Sequence, residues 1–288
     1  MDWHRGIIVR LGAAIAAMLL PAAAWAAVPP LTVMTFNIRL PLSQDGANAW
    51  DNRRDIAVAA IAGEDPDIVA TQELHKPQGD YLAAKLPGFT WFGLDRRGGH
   101  ADEHMGILYR PDRFTLWHSG NFWLSSTPEV PGSISLGNLY PRMLTWGLFE
   151  RKSDRRRFYL LNTHLPYRPE DQEARRAMAA MIASWTARFP PDIPVILLGD
   201  FNDVPGSPAH RLLTSSFEDA WAVASQRAGP AETFHAFGGK ADRRIDWILT
   251  RGFRVAGVRT VDRHLDGRYP SDHFPVVASL VFTGPRSD

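Results

Sequence analysis

Apolar runs rich in β-branched residues recur along the chain, separated by segments that contain Gly, Pro, Asp and Asn. Runs of this length, bounded by turn-forming residues, are typical of buried β-strands. The predicted strands are LTVMTFNI (31–38), DIVATQEL (67–74), MGILYR (105–110), LTWGLFE (144–150), RFYLLNTHL (157–165), PVILLGDFN (194–202), RIDWILT (244–250) and FPVVASLVF (274–282). Because these strands are too numerous for one flat sheet, the pattern predicts two sheets.

Helical periodicity appears between some of the predicted strands. Residues 52–63 place apolar side chains at helical spacing before Pro66, and residues 170–188 put apolar residues on one face and arginines on the other. Ser207 followed by Pro208 predicts an N-cap and a first helical residue, which begins a short helix through Leu213.

The connections between these elements favour a single domain. Residues 119–141 are rich in Ser, Pro and Gly and predict a long surface loop. We find no internal repeat, charge block or Gly/Ser linker in the sequence that would separate two domains. The sequence therefore predicts one α/β domain over residues 28–284, with two sheets packed face to face and helices outside.

The first 26 residues have the pattern of a cleavable secretory signal peptide. Arg5 and Arg10 precede an apolar stretch, and Ala24-Trp25-Ala26 places small residues where a signal peptidase cleaves. The alternative is a membrane anchor, which needs roughly 20 uninterrupted apolar residues. Pro21 interrupts this run, so the pattern favours cleavage and a periplasmic or secreted protein.

Charge and cysteine content exclude several classes of function. The net charge of the 288-residue chain is +1, and loss of the signal peptide would make it zero, so no overall field attracts a polyanion. The absence of cysteine excludes zinc–thiolate sites, iron–sulfur clusters, disulfides and a cysteine nucleophile. A catalytic metal would therefore need oxygen or imidazole ligands.

Polar residues stand where many of the predicted strands begin or end. They are Asn37, Glu73, Asn162, His164, Asp200, Asn202, Asp246, Asp272 and His273. Most have an ordinary interpretation alone. GDFN (199–202) could be a turn, His164 a satisfied strand-end histidine, and residues 271–273 a helix cap, while Glu73 could be a cap or pair with Lys76 and Asp246 could pair with a neighbouring arginine. Because carboxylates at buried strand ends are costly unless paired or metal-bound, their recurrence favours convergence on one site for a hard cation.

Several short motifs occur in order between residues 31 and 282. They are TFNIR (35–39), QE (72–73), EHMGILYR (103–110), NTH (162–164), GDFN (199–202), RIDWI (244–248) and SDHFPV (271–276). Together they resemble the endonuclease/exonuclease/phosphatase superfamily, the DNase-I-like metal-dependent phosphoesterases. Trp50, Arg53 and residues 122–133, 141–146 and 233–237 are similar to its secreted bacterial branch, related to the nocturnin and deadenylase group.

The resemblance implies a fold, a metal and a set of ligands. The fold is a four-layer α/β sandwich, in which two packed mixed β-sheets are flanked by helices, and the metal is Mg²⁺ or Mn²⁺. Glu73 and Asn37 offer hard oxygen ligands at neighbouring strand ends and are the predicted ligands. Asp272 is predicted to be a further ligand, or a partner of one.

The catalytic roles are likewise implied by the resemblance. Asp200 orients or deprotonates the attacking water, and Asn202 hydrogen-bonds that water or the phosphate. His273, held by Asp246, contacts phosphoryl oxygens or acts as the base, and a carboxylate partner would fix its tautomer and raise its basicity. His164 binds the phosphate or serves as the acid, and Glu103 supports its imidazole. The predicted substrate contacts are Arg142, Tyr109, Asn138 and His235.

The leading hypothesis is a secreted, divalent-metal-dependent phosphoesterase that hydrolyses mono- or diesters by in-line attack of an activated water. A neutral mature chain with few lysines favours a small phosphate ester, such as a sugar phosphate, nucleotide or lipid head group. One alternative is an extracytoplasmic endo- or exonuclease, and a remote one is a catalytically silent binding module. No stable protein partner is implied, and no membrane span remains after signal cleavage.

Overall fold

The computed structural model describes Met1 and residues 28–284. The predicted signal peptide, apart from Met1, lies outside the described residues. Within residues 28–284, no helix combines the length and the apolar character that crossing a membrane requires.

Strands and helices alternate along the described chain. The strands are β1 (Leu31–Asn37), β2 (Ile68–Gln72), β3 (Thr90–Phe92), β4 (Ile107–Tyr109), β5 (Phe114–Trp123), β6 (Met143–Arg151), β7 (Arg157–His164), β8 (Val195–Asp200), β9 (Glu218–Asp219), β10 (Arg227–Ala228), β11 (Asp246–Arg251), β12 (Phe253–Thr260) and β13 (Val276–Phe282). The α-helices are α1 (Trp50–Glu64), α2 (Lys76–Lys85), α3 (Gln172–Thr186), α4 (Pro208–Thr214) and α5 (Ala220–Val223), and 3₁₀ helices cover Ser43–Asn48 and Pro169–Asp171.

The strands form two mixed sheets, which confirms the predicted fold class. The seven-stranded sheet has the order β10-β12-β13-β1-β2-β4-β3, and the six-stranded sheet has the order β5-β6-β7-β8-β11-β9. Within them, β1 runs parallel to β2 and β7 runs parallel to β8, whereas most other neighbours are antiparallel. The carboxyl ends of these two parallel pairs carry most of the polar residues that the sequence singled out.

Burial on both faces of each sheet explains the continuous apolar runs in the sequence. In β8, Ile196 and Leu198 lie in the core between the two sheets, while Val195 and Leu197 pack in a second cluster that contains Met178 of α3. Helices α1 and α2 cover the outer face of the seven-stranded sheet in the same way, and α3 and α4 cover the other. The result is the four-layer arrangement of helices, sheet, sheet and helices.

The predicted helices are present, and α4 begins as its sequence indicates. The Ser207 side chain accepts a hydrogen bond from His210 N at 3.2 Å, and Pro208 is the first helical residue. The expectation of an arginine face on α3 is wrong for Arg175, which is buried. Its guanidinium donates to the carbonyls of Pro166 and Arg168, so backbone acceptors replace solvent around the charge.

The predicted surface loop 119–141 begins later than expected, because residues 119–123 belong to β5. This strand is at the edge of its sheet, and its central residues are exposed, so it lacks an apolar alternation. From residue 124 the chain follows an irregular path to β6, as predicted, and it is held by local contacts such as Ser125 Oγ to Ser133 Oγ at 2.6 Å.

Candidate active site

A cavity of about 340 Å³ opens at the sheet edge where the polar strand ends meet. Among the residues with a predicted catalytic role, its lining contains Glu103, His164, Asp200, Asn202 and His273. The predicted metal ligands Glu73 and Asp272 and the predicted substrate contact Arg142 also line it. The structure thus brings together residues that are far apart in the sequence.

Strand register explains why these side chains converge. His164 is paired with Asp200 at the ends of the parallel strands β7 and β8, and Asp246 at the start of the antiparallel β11 faces Asp200 on the other side. In the opposite sheet, β1 and β2 end together, with Asn37 beside Gln72. Parallel strands bring their carboxyl ends to one edge, so both sheets deliver their polar ends to the same place.

Gly199, which precedes Asp200 in the GDFN motif, is required by the close approach of β7 and β8. Its φ is 151°, and a Cβ at this position would lie 2.0 Å from the carbonyl oxygen of Thr163. No larger residue can occupy the position without separating the two strands. The glycine therefore fixes the distance between the backbones that carry His164 and Asp200.

His273 is held between two carboxylates. Its Nδ1 lies 2.9 Å from Asp246 Oδ2, and its Nε2 lies 3.8 Å from Asp200 Oδ2. Burial lowers the pKa of His273, but the charges of Asp246 and Asp200 outweigh it and raise the pKa to about 10. The two carboxylates therefore favour the protonated form of the imidazole, which is suited to contact phosphoryl oxygens.

Asp200 has the surroundings of a general base. Burial, together with the charge of Asp246, raises the pKa of Asp200 to about 7, despite the hydrogen bond from Asn37 Nδ2 at 3.0 Å. A carboxylate whose pKa lies near the working pH is efficient in proton transfer. Its Oδ1 accepts from the backbone N of Asn202 at 2.9 Å, which orients the group.

His164 is a neutral imidazole in this site. Burial, reinforced by the positive charges of Arg142 and His273, lowers its pKa well below the ordinary value. Its Nε2 is 3.5 Å from Asp200 Oδ2, and its Nδ1 has no hydrogen-bond partner among the described residues. A neutral ring can donate one hydrogen bond to a phosphoryl oxygen, whereas the predicted role as an acid would need a protonation that burial opposes.

The Glu73 carboxylate also lines the cavity, and two hydrogen bonds hold it there. It accepts hydrogen bonds from Asn37 Nδ2 at 3.1 Å and from the backbone N of Leu40 at 3.1 Å. Glu73, Arg39 and Asn202 all have left-handed backbones, with φ of 57°, 60° and 49°. Such conformations cost about 1 to 3 kcal/mol each and cluster at functional sites.

Two groups of residues could hold a divalent cation. Asp200, Asp246 and His273 each offer a ligand atom, and these atoms all lie within 4.8 Å of one another. The predicted ligands form a different set, in which Asn37 Oδ1 accepts from Arg39 N at 3.0 Å and Asp272 Oδ2 lies 3.6 Å from Arg39 Nη1. The hard carboxylate and amide oxygens of this second set fit Mg²⁺ or Mn²⁺, which bind few carboxylates and retain waters.

The predicted support of His164 by Glu103 is wrong, because the Glu103 carboxylate is paired with an arginine. Glu103 Oε1 lies 2.9 Å from Arg96 Nη1, and Arg96 N donates to the Glu103 carbonyl at 2.8 Å. This backbone pairing within one loop brings the two side chains together. Burial and the charge of Glu73 raise the pKa of Glu103 to about 7, although Arg96 opposes the shift.

Three predicted substrate contacts do not line the cavity. Tyr109 alternates into the core between the sheets, where its ring packs against Phe149 with centroids 5.4 Å apart. His235 stacks on Phe274 at 4.0 Å and supports the backbone of Asp272, whose carbonyl accepts from His235 N at 2.9 Å. Asn138 is buried within its loop and donates to the carbonyl of Tyr140. Of the four predicted contacts, only Arg142 faces the cavity.

Sequence reasoning missed several cavity residues. They include Arg39, Arg96, Tyr140, Tyr167 and Arg243. Arg39 belongs to the TFNIR motif and could have been found from its position two residues after Asn37. Most of the others come from loops, where periodicity gives no information on the direction of a side chain.

Comparisons with known proteins agree with this fold. Residues 34–273 match the profile of the Endonuclease/Exonuclease/phosphatase family. A crystal structure of a member of that family from Bacteroides thetaiotaomicron is 30% identical, with a TM-score of 0.83 over 88% of this chain and 97% of that one. A mannosyl-6-phosphatase from the same species is also 30% identical, with a TM-score of 0.82 over 88% of this chain and 100% of that one.

Curated relatives are more distant. Human nocturnin is 23% identical over an alignment of 294 residues, gaps included, which covers 88% of this chain and 66% of nocturnin. Across the curated proteins that it matches, the chain spans between 30% and 66% of the relative's length. The match to the family profile and the carboxylates and imidazoles at its strand ends lead to the same conclusion: the chain belongs to the endonuclease/exonuclease/phosphatase family, whose named activities all cleave phosphate ester bonds.

Proposed function

We propose that this protein is a divalent-metal-dependent phosphatase that hydrolyses small phosphate monoesters by in-line attack of a water molecule. The observation that carries the proposal is the state of Arg142. This residue is 4% exposed, it lines the cavity, and its Nη1 has no hydrogen-bond partner among the described residues.

A buried guanidinium with an unpaired donor is costly unless an anion joins it. Burial lowers the pKa of Arg142, yet an arginine stays charged in proteins. Its planar donors match the oxygens of a phosphate bidentately. Since His164 and His273 line the same cavity, a phosphoryl group held by Arg142 would lie beside both imidazoles.

The remaining residues divide the chemistry between them. Asp200 accepts one proton of the attacking water as its oxygen bonds the phosphorus, and the His273 imidazolium and the His164 N–H donate hydrogen bonds to phosphoryl oxygens. The P–O bond to the alcohol breaks in the same step, and the leaving oxygen takes up a proton from solvent in the open cavity. Glu73 and Asn37 would hold Mg²⁺ or Mn²⁺, with Asp272 close by, and a bound cation supplies charge stabilisation for the phosphoryl oxygens. Asp246 fixes the orientation of the His273 ring.

The cavity dimensions favour a small substrate. A volume of about 340 Å³ lies at the lower end of the range for small-molecule sites, which is about 300 to 1,000 Å³. The likeness to a mannosyl-6-phosphatase supports a sugar phosphate as the first substrate class to test. The second candidate function is a nuclease, which is favoured by Tyr140, Tyr167 and Phe234 at the cavity, because nucleobases stack on aromatic rings.

A substrate screen tests this function. The purified mature chain, with Mg²⁺ or Mn²⁺, should release inorganic phosphate from hexose phosphates and should release few acid-soluble nucleotides from DNA or RNA. Arg142→Met should lower kcat/KM for the monoester by about 10²-fold, because it removes a charged donor from the phosphate. Efficient nucleic-acid cleavage with no phosphate release would contradict the monoesterase and favour the nuclease.

We also propose that the protein acts outside the cytoplasm. The charged, apolar and small-residue regions at the N-terminus predict removal of residues 1–26 during export. Mass spectrometry of the exported protein should find a new N-terminus near Ala27. An intact Met1 in the membrane fraction would instead indicate the anchor interpretation.

A further inference from the structure

Arg53 of α1 is a fully buried arginine whose hydrogen bonds all go to backbone carbonyls. Its exposed fraction is 0%, and burial lowers its pKa to about 10, so it is still charged at neutral pH. Nε donates to Asn48 O at 2.9 Å, and Nη2 donates to Arg39 O at 2.8 Å. Nη1 donates to both Ile38 O at 2.6 Å and Pro270 O at 2.9 Å.

Three of these four carbonyls belong to two segments that carry cavity residues, and the fourth, Asn48 O, lies at the end of the 3₁₀ helix Ser43–Asn48. Ile38 and Arg39 directly follow the end of β1, and Pro270 precedes the segment 271–273, which contains Asp272 and His273. A single guanidinium therefore ties the segment that carries Arg39 to the one that carries Asp272 and His273. The two segments meet again at their side chains, where Arg39 Nη1 lies 3.6 Å from Asp272 Oδ2.

The strained backbone of Arg39 depends on the same contacts. Its φ is 60°, and its carbonyl accepts from both Arg53 Nη2 and Gln78 Nε2, the latter at 2.9 Å. Its N donates to Asn37 Oδ1 at 3.0 Å. A left-handed conformation of a residue other than glycine persists only where the surroundings over-determine it.

We propose that Arg53 is a positioning residue of the active site, which holds the Arg39 and Asp272–His273 segments in register through their backbone carbonyls. This inference rests on the proposed function for its kinetic readout, but not for its structural one. An apolar side chain would fill the same space with less desolvation cost. The planar fork of donors on arginine is what allows one side chain to reach both segments.

The variant Arg53→Lys separates positioning from simple stability. Lysine keeps the charge but lacks the fork, so it cannot bond both segments with the same geometry. A small displacement of catalytic groups can cost up to about 10²-fold in rate, so we expect kcat/KM to fall by about 10-fold or more. The matched control is Arg151→Lys. Arg151 is a buried arginine at the end of β6 away from the cavity, and it also donates to a backbone carbonyl, Pro29 O.

Two structural readouts accompany the kinetics. In Arg53→Lys, amide hydrogen exchange of Leu40 and His273 should quicken, and the dissociation constant for Mn²⁺, measured by calorimetry, should rise. In Arg151→Lys, the melting temperature should fall while turnover, exchange at these amides and Mn²⁺ affinity stay at wild-type values. If the wild type hydrolyses no phosphate ester, the proposed function fails, and the exchange and Mn²⁺ results still decide the role of Arg53.

The inference is overturned if the melting temperature falls equally in Arg53→Lys and Arg151→Lys while Arg53→Lys keeps native turnover and native rates of amide hydrogen exchange. Should Arg53→Lys fail to fold, Gln78→Met removes a different donor to the Arg39 carbonyl. It should lower kcat/KM in the same direction by a smaller factor and should quicken exchange at Leu40. Native values of both in Gln78→Met would also overturn the inference.

Discussion

Replacing Asp200 with Asn or His273 with Ala is expected to lower kcat/KM by about 10² to 10⁴-fold, which is the usual contribution of a positioned acid or base. Replacing both should lower it little further than the poorer single variant. The reason is that His273 lies between two carboxylates: its Nδ1 is hydrogen-bonded to Asp246, and its Nε2 lies 3.8 Å from Asp200 Oδ2, within the range of a direct charge interaction. The measurement is kcat/KM for the wild type, both single variants and the double variant on the best phosphate ester.

The electrostatics of the pair support a shared function. The charge of Asp200 contributes to raising the pKa of His273. Conversely, the charge of His273 lowers the pKa of Asp200, which burial raises. Removing either residue therefore changes the protonation of the other as well as its position. Residues that act as a unit show strongly non-additive losses.

A buried carboxylate far from the cavity provides the control for this prediction. Asp154 is 5% exposed and accepts a hydrogen bond from Arg151, which ends β6 at the edge of the sheet away from the cavity. Asp154→Asn should lower the melting temperature and leave kcat/KM unchanged. If either active-site variant keeps near-native turnover, or if the two losses multiply as they do for independent sites, the shared mechanism is wrong.

The central strands were predictable because both of their faces are buried. Runs such as VILLGD in β8 are continuously apolar, since alternate side chains pack between the sheets and against the helices. The polar residues that end these runs are conspicuous in the sequence for the same reason. Asn162 shows the limit of this signal, because its side chain accepts a hydrogen bond from Gln72 of the other sheet and does not line the cavity.

Strands β5 and β12 and helix α2 were missed for identifiable reasons. β5 has an exposed centre and a bulge between Leu116 and His118, and β12 has a bulge between Val255 and Gly257, so neither keeps a period of two. Helix α2 contains Pro and Gly in its first turn, which does not look helical in the sequence. It begins with a capping box between His75 and Gln78, and His75 is not one of the usual N-cap residues.

The site was predictable where residues follow strands and less so where they lie in loops. Asp200, Asp246 and His273 flank strands whose register places them side by side. The pairing of Glu103 with Arg96 depends instead on the path of one loop, and no periodic pattern encodes it. Tyr109 was misassigned because alternation along β4 turns its ring into the core.

The second large effect is expected from Glu73→Gln, which tests the predicted metal site. Glu73 is the predicted principal ligand of the Asn37, Glu73 and Asp272 set; its side chain lines the cavity, and hydrogen bonds from Asn37 Nδ2 and Leu40 N hold both of its oxygens in place. Loss of metal stabilisation amounts to several kcal/mol, so kcat/KM at low Mn²⁺ should fall on the order of 10³-fold. Excess Mn²⁺ should restore part of the activity, because the glutamine oxygen remains a weaker ligand.

The control and the competing site make this prediction decisive. Glu150→Gln changes a buried glutamate paired with Arg157 at the far end of β6, and it should leave Mn²⁺ affinity unchanged. Calorimetry gives the Mn²⁺ dissociation constant of each variant, alongside kcat/KM as a function of Mn²⁺ concentration. If Glu73→Gln loses activity at every Mn²⁺ concentration with native Mn²⁺ affinity, Glu73 is structural. If Asp200→Asn then abolishes Mn²⁺ binding, the cation lies in the group formed by Asp200, Asp246 and His273.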